Sequence, residues 1–187
     1  KNALKINPDY SNAYRNLGIL SEHRGANKEA EFYYKKVIEL NGSDAYCYNQ
    51  LGNLSKERGN FNKAISYYNI ALDLDDTYVD SYCGLAAIKR YSEKDEDFIR
   101  RLNFSLAREN FNPNDKIRLH FALGKVNDDC GLYDEAFEHY KTANILKRES
   151  IDYNYDAHES NVSRLIEFFD SFPFEKFRNF GSNSNRP

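Results

Sequence analysis

Apolar residues along the first half of the chain recur at spacings of three and four, and each run closes at a short polar turn. Tyr14, Leu17, Gly18 and Leu20 make one run, Gly25-Ala26-Asn27 the turn, and Ala30, Tyr34 and Val37 the next run. Residues spaced this way share one face of a helix, so the pattern predicts a helix pair over 11–44. The pattern returns 34 residues later, with Leu17 as Leu51, Gly18 as Gly52, Ala30 as Ala64 and Tyr34 as Tyr68. It returns at Leu85-Ala86, and then four residues late at Leu123-Gly124, with Ala136 and Tyr140 in register behind. A period of this size marks stacked two-helix units, each burying its apolar face against the next.

The pattern divides the chain into the end of a second helix over 1–8, helix pairs over 11–44 and 45–78, and a degenerate pair over 79–112. A clear pair follows over 117–150, then a capping helix over 151–172 and an extended linker over 173–187. Asn7-Pro8-Asp9 ends the first fragment, because proline lacks the N–H that a continuing helix needs. Asp9, Ser43, Thr77 and Asp115 are expected to cap the helices that follow them. Gly18 and Gly52 are expected to admit a neighbouring backbone. In the degenerate pair Glu93 replaces the turn glycine, and Phe98 stands where other units have Ala30 and Ala64. A phenyl ring cannot enter a methyl-sized hole without moving something. A helix from about Glu96 to Glu109, tilted against its neighbours, and a bend in the stack are therefore expected. Val162, Leu165, Ile166 and Phe169 predict a last amphipathic helix that covers the final unit.

Composition narrows the partners. The chain has 187 residues and a net charge of -3, with no dense cluster of Lys or Arg, so a nucleic-acid backbone is not expected as a partner. No segment approaches the roughly 18 apolar residues of a membrane span. Mean hydropathy is -0.80, yet there are 15 Tyr and 13 Phe, which reads as aromatic anchors beneath a polar surface. Cys47, Cys83 and Cys130 are too widely spaced for a disulfide framework, and a reducing, cytoplasmic setting is the expectation. The chain lacks Met and opens at Lys1-Asn2-Ala3-Leu4 in helical pattern, which reads as part of a longer protein.

The run Tyr48 to Gly52, then Gly59, Ala64, Tyr68 and Ala71, resembles tetratricopeptide repeats. The resemblance implies an all-α fold: a right-handed superhelix, or α–α solenoid, with a distorted third repeat and a C-terminal capping helix. It implies a concave face lined by first helices, where peptides or partner proteins are held. A second run resembles a bacterial architecture in which such repeats precede a sulfotransferase domain. It comprises Leu119 to Lys125, Asp128-Asp129, Gly131, Tyr133 to Phe137, His139-Tyr140 and Asn144, with Phe168-Phe169 and Phe180-Gly181-Ser182. That resemblance implies phosphoadenosine phosphosulfate as cofactor of a following domain, and an acceptor such as protein tyrosine. No cofactor is expected within these residues themselves.

On the face implied by the resemblance lie Asn12, Arg15, Ile19, Glu22 and His23 of the first unit. The second unit places Tyr46, Asn49, Gln50, Asn53, Lys56 and Glu57 there. The third places Asp80, Cys83, Ala87 and Arg90, and the fourth Arg118, Phe121, Lys125 and Asp128. Asn49 and Asn53 stand one helical turn apart, and their amides suit an extended peptide backbone. Solvated polar residues are the plainer alternative. A carboxylate-clamping subtype fits poorly, since the matching positions read Arg15, Ile19, Gln50, Asp80 and Gly84. Asp128 and Asp129 are candidate contacts to a following domain. His120 and His139 lie near Asp128, Asp129, Asp134 and Glu135, but their spacing matches no common metal set, and packing between helices is expected of them. The glycines are separated by whole helices and cannot converge on a phosphate. Three readings stay open: a non-catalytic module binding a peptide, a protein or its own downstream domain; a recognition part of a sulfotransferase; and a structural spacer.

Overall fold

The structure, a computed structural model, describes residues 7–92, 95–108, 111–151 and 155–172. The leading fragment before Asn7, the turn residue Glu93, the expected helix end at Glu109 and the linker from 173 on lie outside the described residues. Nine helices are described: α1 (Ser11–His23), α2 (Asn27–Leu40), α3 (Ala45–Glu57), α4 (Phe61–Leu74), α5 (Val79–Ile88), α6 (Glu96–Leu106), α7 (Pro113–Asp129), α8 (Tyr133–Glu149) and α9 (Tyr155–Ser171). The chain divides into one unit running to Ser150 and a second beginning at Ile151.

In the first unit, helices pair as hairpins: α1 with α2, α3 with α4, α7 with α8. Each of these hairpins turns on a glycine with φ near +70°: Gly25 at 71°, Gly59 at 73° and Gly131 at 77°. Only a residue without Cβ takes that conformation cheaply. Hairpins then stack, α2 on α3 and α4 on α5, while first helices also touch one another, α3 with α5 and α5 with α7.

The helix glycines serve a different end from the one expected. What approaches them is an aromatic ring, not a backbone. A Cβ on Gly18 would lie 2.5 Å from the Tyr34 ring, on Gly52 2.5 Å from Tyr68, and on Gly124 2.7 Å from Tyr140. Tyr68 is wedged from both sides, since a Cβ on Gly84 would lie 2.6 Å from the same ring. Tyr34 and Tyr68 are wholly buried, and their hydroxyls donate to Glu22 (2.7 Å) and Asn53 (2.8 Å). A buried aromatic with its one polar atom satisfied is a strong inter-helix anchor.

The expected caps are displaced by turn chemistry. Asp44, not Ser43, caps α3 by accepting from the Cys47 N–H (3.0 Å). Asn112, not Asp115, caps α7, accepting from the Asp115 N–H (2.9 Å), with Pro113 opening the helix. Helices α1 and α5 begin after Tyr10 and Tyr78 with no side-chain cap. Asp9 donates its N–H to Asn7, and Thr77 donates its N–H and hydroxyl to Asp75, so both residues belong to the preceding turn.

The third hairpin deviates where Phe98 predicted it. Helix α5 has 10 residues against 13 in α3, and Lys89 runs extended. The freed strap drops Tyr91 into the core, 3% exposed, stacked on Phe98 at 4.8 Å. Phe98 also meets Tyr82 at 5.8 Å. Unwinding the end of the first helix thus makes room for the phenyl ring. Leu102 and Ser105 hold the register of Tyr68 and Ala71 and are buried. The four-residue delay ahead of Leu123 becomes one added turn, 113–116, at the start of the 17-residue α7. One turn restores the facing of every later residue.

In the second unit, α9 spans Tyr155–Ser171, shorter than the 151–172 that the pattern predicts. Its stripe of Val162, Leu165, Ile166, Phe168 and Phe169 is exposed, with relative exposures from 40% to 57%. No helix among the described residues is long and apolar enough to cross a membrane.

Candidate functional site

A groove of about 320 Å³ runs between the first helices α5 and α7, lined by Cys83, Ala86, Ala87, Arg118, Phe121, Ala122 and Lys125. Small residues open it. Cys83, Gly84 and Ala87 occupy the register that α3 fills with Asn49, Gln50 and Asn53. Ala86 and Ala122 are buried and form the floor; Ala87 is exposed, and Phe121 lies half-buried against Tyr140 at 6.4 Å.

Two cations flank this apolar floor. Arg118 pairs with Asp80 on α5 and with Asp115 (3.5 Å) one turn earlier on α7. Lys125 pairs with Asp129 and donates to the Lys89 carbonyl, pinning the strap that follows α5. Asp129 also accepts from the Tyr91 N–H (3.0 Å). Each cation keeps about a third of its side chain exposed. Charges in that position gain little from their existing partners and remain able to engage a third group.

The sequence-derived positions separate into groups. Cys83, Ala87, Arg118, Phe121 and Lys125 come together in the groove. Asn49 and Asn53 do not face outward as free amides. Asn49 is 1% exposed, accepts from the Ser81 hydroxyl (3.0 Å) and donates to Gln50 (3.1 Å). Asn53 donates to Gln50 (2.9 Å) and accepts from Tyr68. Gln50 in turn donates to Glu22 (3.0 Å), which also holds the Tyr34 hydroxyl. These amides join three successive first helices, and that is where their hydrogen bonds go. Arg15 pairs with the buried Asp44, and Tyr46 sits edge-on to Tyr34 at 6.1 Å. Asn12, Arg90 and Asp128 are exposed and Lys56 is half-buried. Asp80 is tied to Arg118, and Asp129 to Lys125.

Sequence reasoning missed Ala86 and Ala122. Their signal was present as the run of small residues at 83, 84, 86 and 87. The Cys47 and Cys83 thiols are poor nucleophiles here. Burial pushes Cys47 up to about 12 and Cys83 to about 11, so the reactive thiolate is scarce at neutral pH. His120 and His139 face each other across the α7–α8 hairpin, Nδ1 to Nδ1 3.0 Å, and burial holds both below the ordinary imidazole value. Among the described residues no group of three or more His, Cys, Asp or Glu is placed to hold a metal ion.

Comparison with known proteins agrees with this architecture. Two tetratricopeptide repeat models match residues 11–44 and 33–66. An uncharacterised protein of Aquifex aeolicus (strain VF5) is 37% identical over 67 residues, which is 36% of this chain and 9% of that protein. Among solved structures, MamA superposes with a TM-score of 0.62 at 23% identity, covering 82% of this chain and 87% of MamA. YrrB, a TPR protein with an unusual peptide-binding site, superposes with a TM-score of 0.61 at 20% identity, covering 80% of this chain and 75% of YrrB. Residues 11–66 thus match tetratricopeptide repeat models, and the fold is an all-helical solenoid like those of MamA and YrrB.

Proposed function

We propose that this module binds an extended segment of a partner protein in the groove between α5 and α7. The observation that carries the reading is the groove itself, an apolar floor opened by small residues with Arg118 and Lys125 at its rim. An apolar side chain seats on Ala86, Ala87 and Ala122, and acidic neighbours in the peptide approach the two cations. The fold likeness to YrrB supports a peptide as ligand, and Tyr46, Asn12, Lys56 and Arg90 extend the face on either side. The chemistry at the site is recognition: its one thiol, Cys83, is pushed up to about 11 by burial and is a poor nucleophile.

The test is a peptide selected from a displayed random library, labelled and titrated by anisotropy. Ala87→Glu places a carboxylate on the apolar floor and weakens capture about tenfold or more, some 1.4 kcal/mol. Ala87 is exposed, so the melting temperature should hold. Unchanged affinity in the folded variant would remove the groove as the site.

The finer reading makes this module the recognition part of a sulfotransferase, with phosphoadenosine phosphosulfate bound by another domain. It rests on the run from Leu119 to Asn144 and the tail residues alone. In that setting Asp128, exposed at the end of α7, and Asp129 beside it are the candidate contacts to the catalytic domain. Three widely spaced cysteines favour a reducing, cytoplasmic setting.

A further inference from the structure

The hairpin α7–α8 holds a pair of rings at a register where the earlier hairpins also hold a pair. In α1–α2 it is Tyr14 and Tyr33, with centroids 6.3 Å apart, and in α3–α4 it is Tyr48 and Tyr67, also at 6.3 Å. In α7–α8 it is His120 and His139, closer at 5.3 Å, with Nδ1 facing Nδ1 at 3.0 Å. Packing alone asks only for two flat rings at this place. The histidines add a hydrogen bond between the two helices, and whether that bond can exist depends on how many protons the pair carries.

We propose that the His120–His139 pair is an acid-sensitive latch on the α7–α8 hairpin, closed while the pair is neutral or singly charged and open once both rings are charged. In the neutral pair one ring donates its Nδ1–H to the bare Nδ1 of the other. The donor ring's Nε2 is free to take the first added proton. The contact then runs from imidazolium to imidazole, a charge-assisted hydrogen bond, and is kept. The second added proton finds only the acceptor's Nδ1. Both nitrogens then carry hydrogens, which cannot share a gap of 3.0 Å, and the two positive rings repel. The rings have to part. The tyrosine pairs, at 6.3 Å between centroids, show a wider spacing that hairpins of this fold accept.

The surroundings leave the pair to titrate against itself. Helices α5, α6 and α8 pack on α7. On α5, Asp80 is held by Arg118. On α6, Glu96 is exposed, Arg100 lies against Asp97, and Arg101 reaches back to Leu72 and Asp73 on α4. On the pair's own helices, Lys116 and Glu135 stand one turn earlier, and Glu138 is engaged by Lys141. Among the described residues no carboxylate is placed to offset a charge on either ring, and the charge that bears on His120 is that of His139. Burial holds both rings below the ordinary imidazole value. In the unfolded chain both take protons near about pH 6.5. The native chain therefore binds fewer protons in acid. The stability that the pair contributes is complete above about pH 6.5 and is lost as pH falls through the folded-state values. Helix α7 also carries Arg118, Phe121 and Lys125, so opening the hairpin disturbs the groove, a consequence that rests on the groove reading above.

The test begins with His23→Asn/His158→Asn, which leaves the pair as the only imidazoles in the chain. Imidazole nitrogen and backbone amide chemical shifts are followed from about pH 8 to about pH 4.5. The expected result is two separate titration steps shared by both rings, as coupled groups give, with the α7 and α8 amides moving on the second step. Urea denaturation then compares the native chain with His120→Tyr/His139→Tyr, which restores the ring pair of the first two hairpins. Between pH 7.5 and pH 5 the native unfolding constant should rise about tenfold more than that of the variant, the effect of one unit of pKa lowering. A peptide selected against the groove should also lose more affinity over that interval on the native chain than on the variant. A peptide that binds neither at either pH strikes the groove reading, and the titration still decides the latch. Two rings that titrate independently in single steps, or a variant that loses stability in acid as steeply as the native chain, would overturn the proposal.

Discussion

Replacing Tyr68 with Ala should destabilise the repeat unit by about 3–5 kcal/mol, the usual cost of removing a fully buried aromatic side chain. The ring is wholly buried and touches both Gly52 on its own hairpin and Gly84 on the next. Neither glycine has a side chain to fill the void, so the cavity persists unless whole helices move. Asn53 also loses the hydroxyl that donates to its carbonyl oxygen. Urea denaturation followed by circular dichroism measures the cost. Phe61→Ala is the reference: its ring is 51% exposed, and its loss should stay within about 0.5 kcal/mol. Similar costs for the two variants would show that the tyrosine nests do not hold the stack together.

Gly52→Ala is the complementary variant, and its sign is the informative part. In an ordinary helix interior this change gains about 1 kcal/mol. Here the new methyl would lie 2.5 Å from one Tyr68 ring carbon and 2.7 Å from another. The ring cannot retreat, because Gly84 stands on its far side at a similar distance. Overpacking of this kind costs about 1–3 kcal/mol, so the net effect is destabilising. Gly18→Ala should cost less. At the register of Gly84 the earlier repeat carries Gln50, a long side chain that can swing to let Tyr34 shift. Thermal denaturation ranks the two; a Gly52→Ala variant as stable as the native chain would mean the ring is free to move.

These effects follow from features that a single sequence shows in part. The period of Gly18 and Gly52, with Tyr34 and Tyr68, predicted hairpins, turns and register, because each unit must nest on the next by the same contact. The meaning of the glycine was less accessible. A missing Cβ signals close approach, and only the structure shows that a ring approaches. Helices α1 and α5 lack the expected caps because the chain turns there on Asn7 and Asp75, whose side chains accept from the N–H groups of Asp9 and Thr77 two residues ahead of each helix. Phe98 predicted the deviant hairpin, while the way it is accommodated, by Tyr91 entering from an unwound strap, had no periodic signature.

The site was legible to a similar degree. Arg118, Phe121, Lys125, Cys83 and Ala87 fall on the face that the repeats imply, and they meet in one groove. Asn49 and Asn53 share that face but are absorbed by Ser81, Gln50 and Tyr68 on neighbouring elements. Polarity at a surface register does not distinguish a free amide from one bonded to the adjacent helix. His120 stood at a tyrosine register in the sequence, whereas the partnership with His139 at 3.0 Å emerges only when α8 folds back.

The groove between α5 and α7 is the proposed binding surface. Amide chemical-shift mapping of the native protein, titrated with a peptide selected against it, tests this most directly. The predicted result is that the largest shifts fall on Cys83, Ala86, Ala87, Arg118, Phe121, Ala122 and Lys125. Shifts centred on the second helices α2 and α4, with the groove amides unmoved, would contradict it.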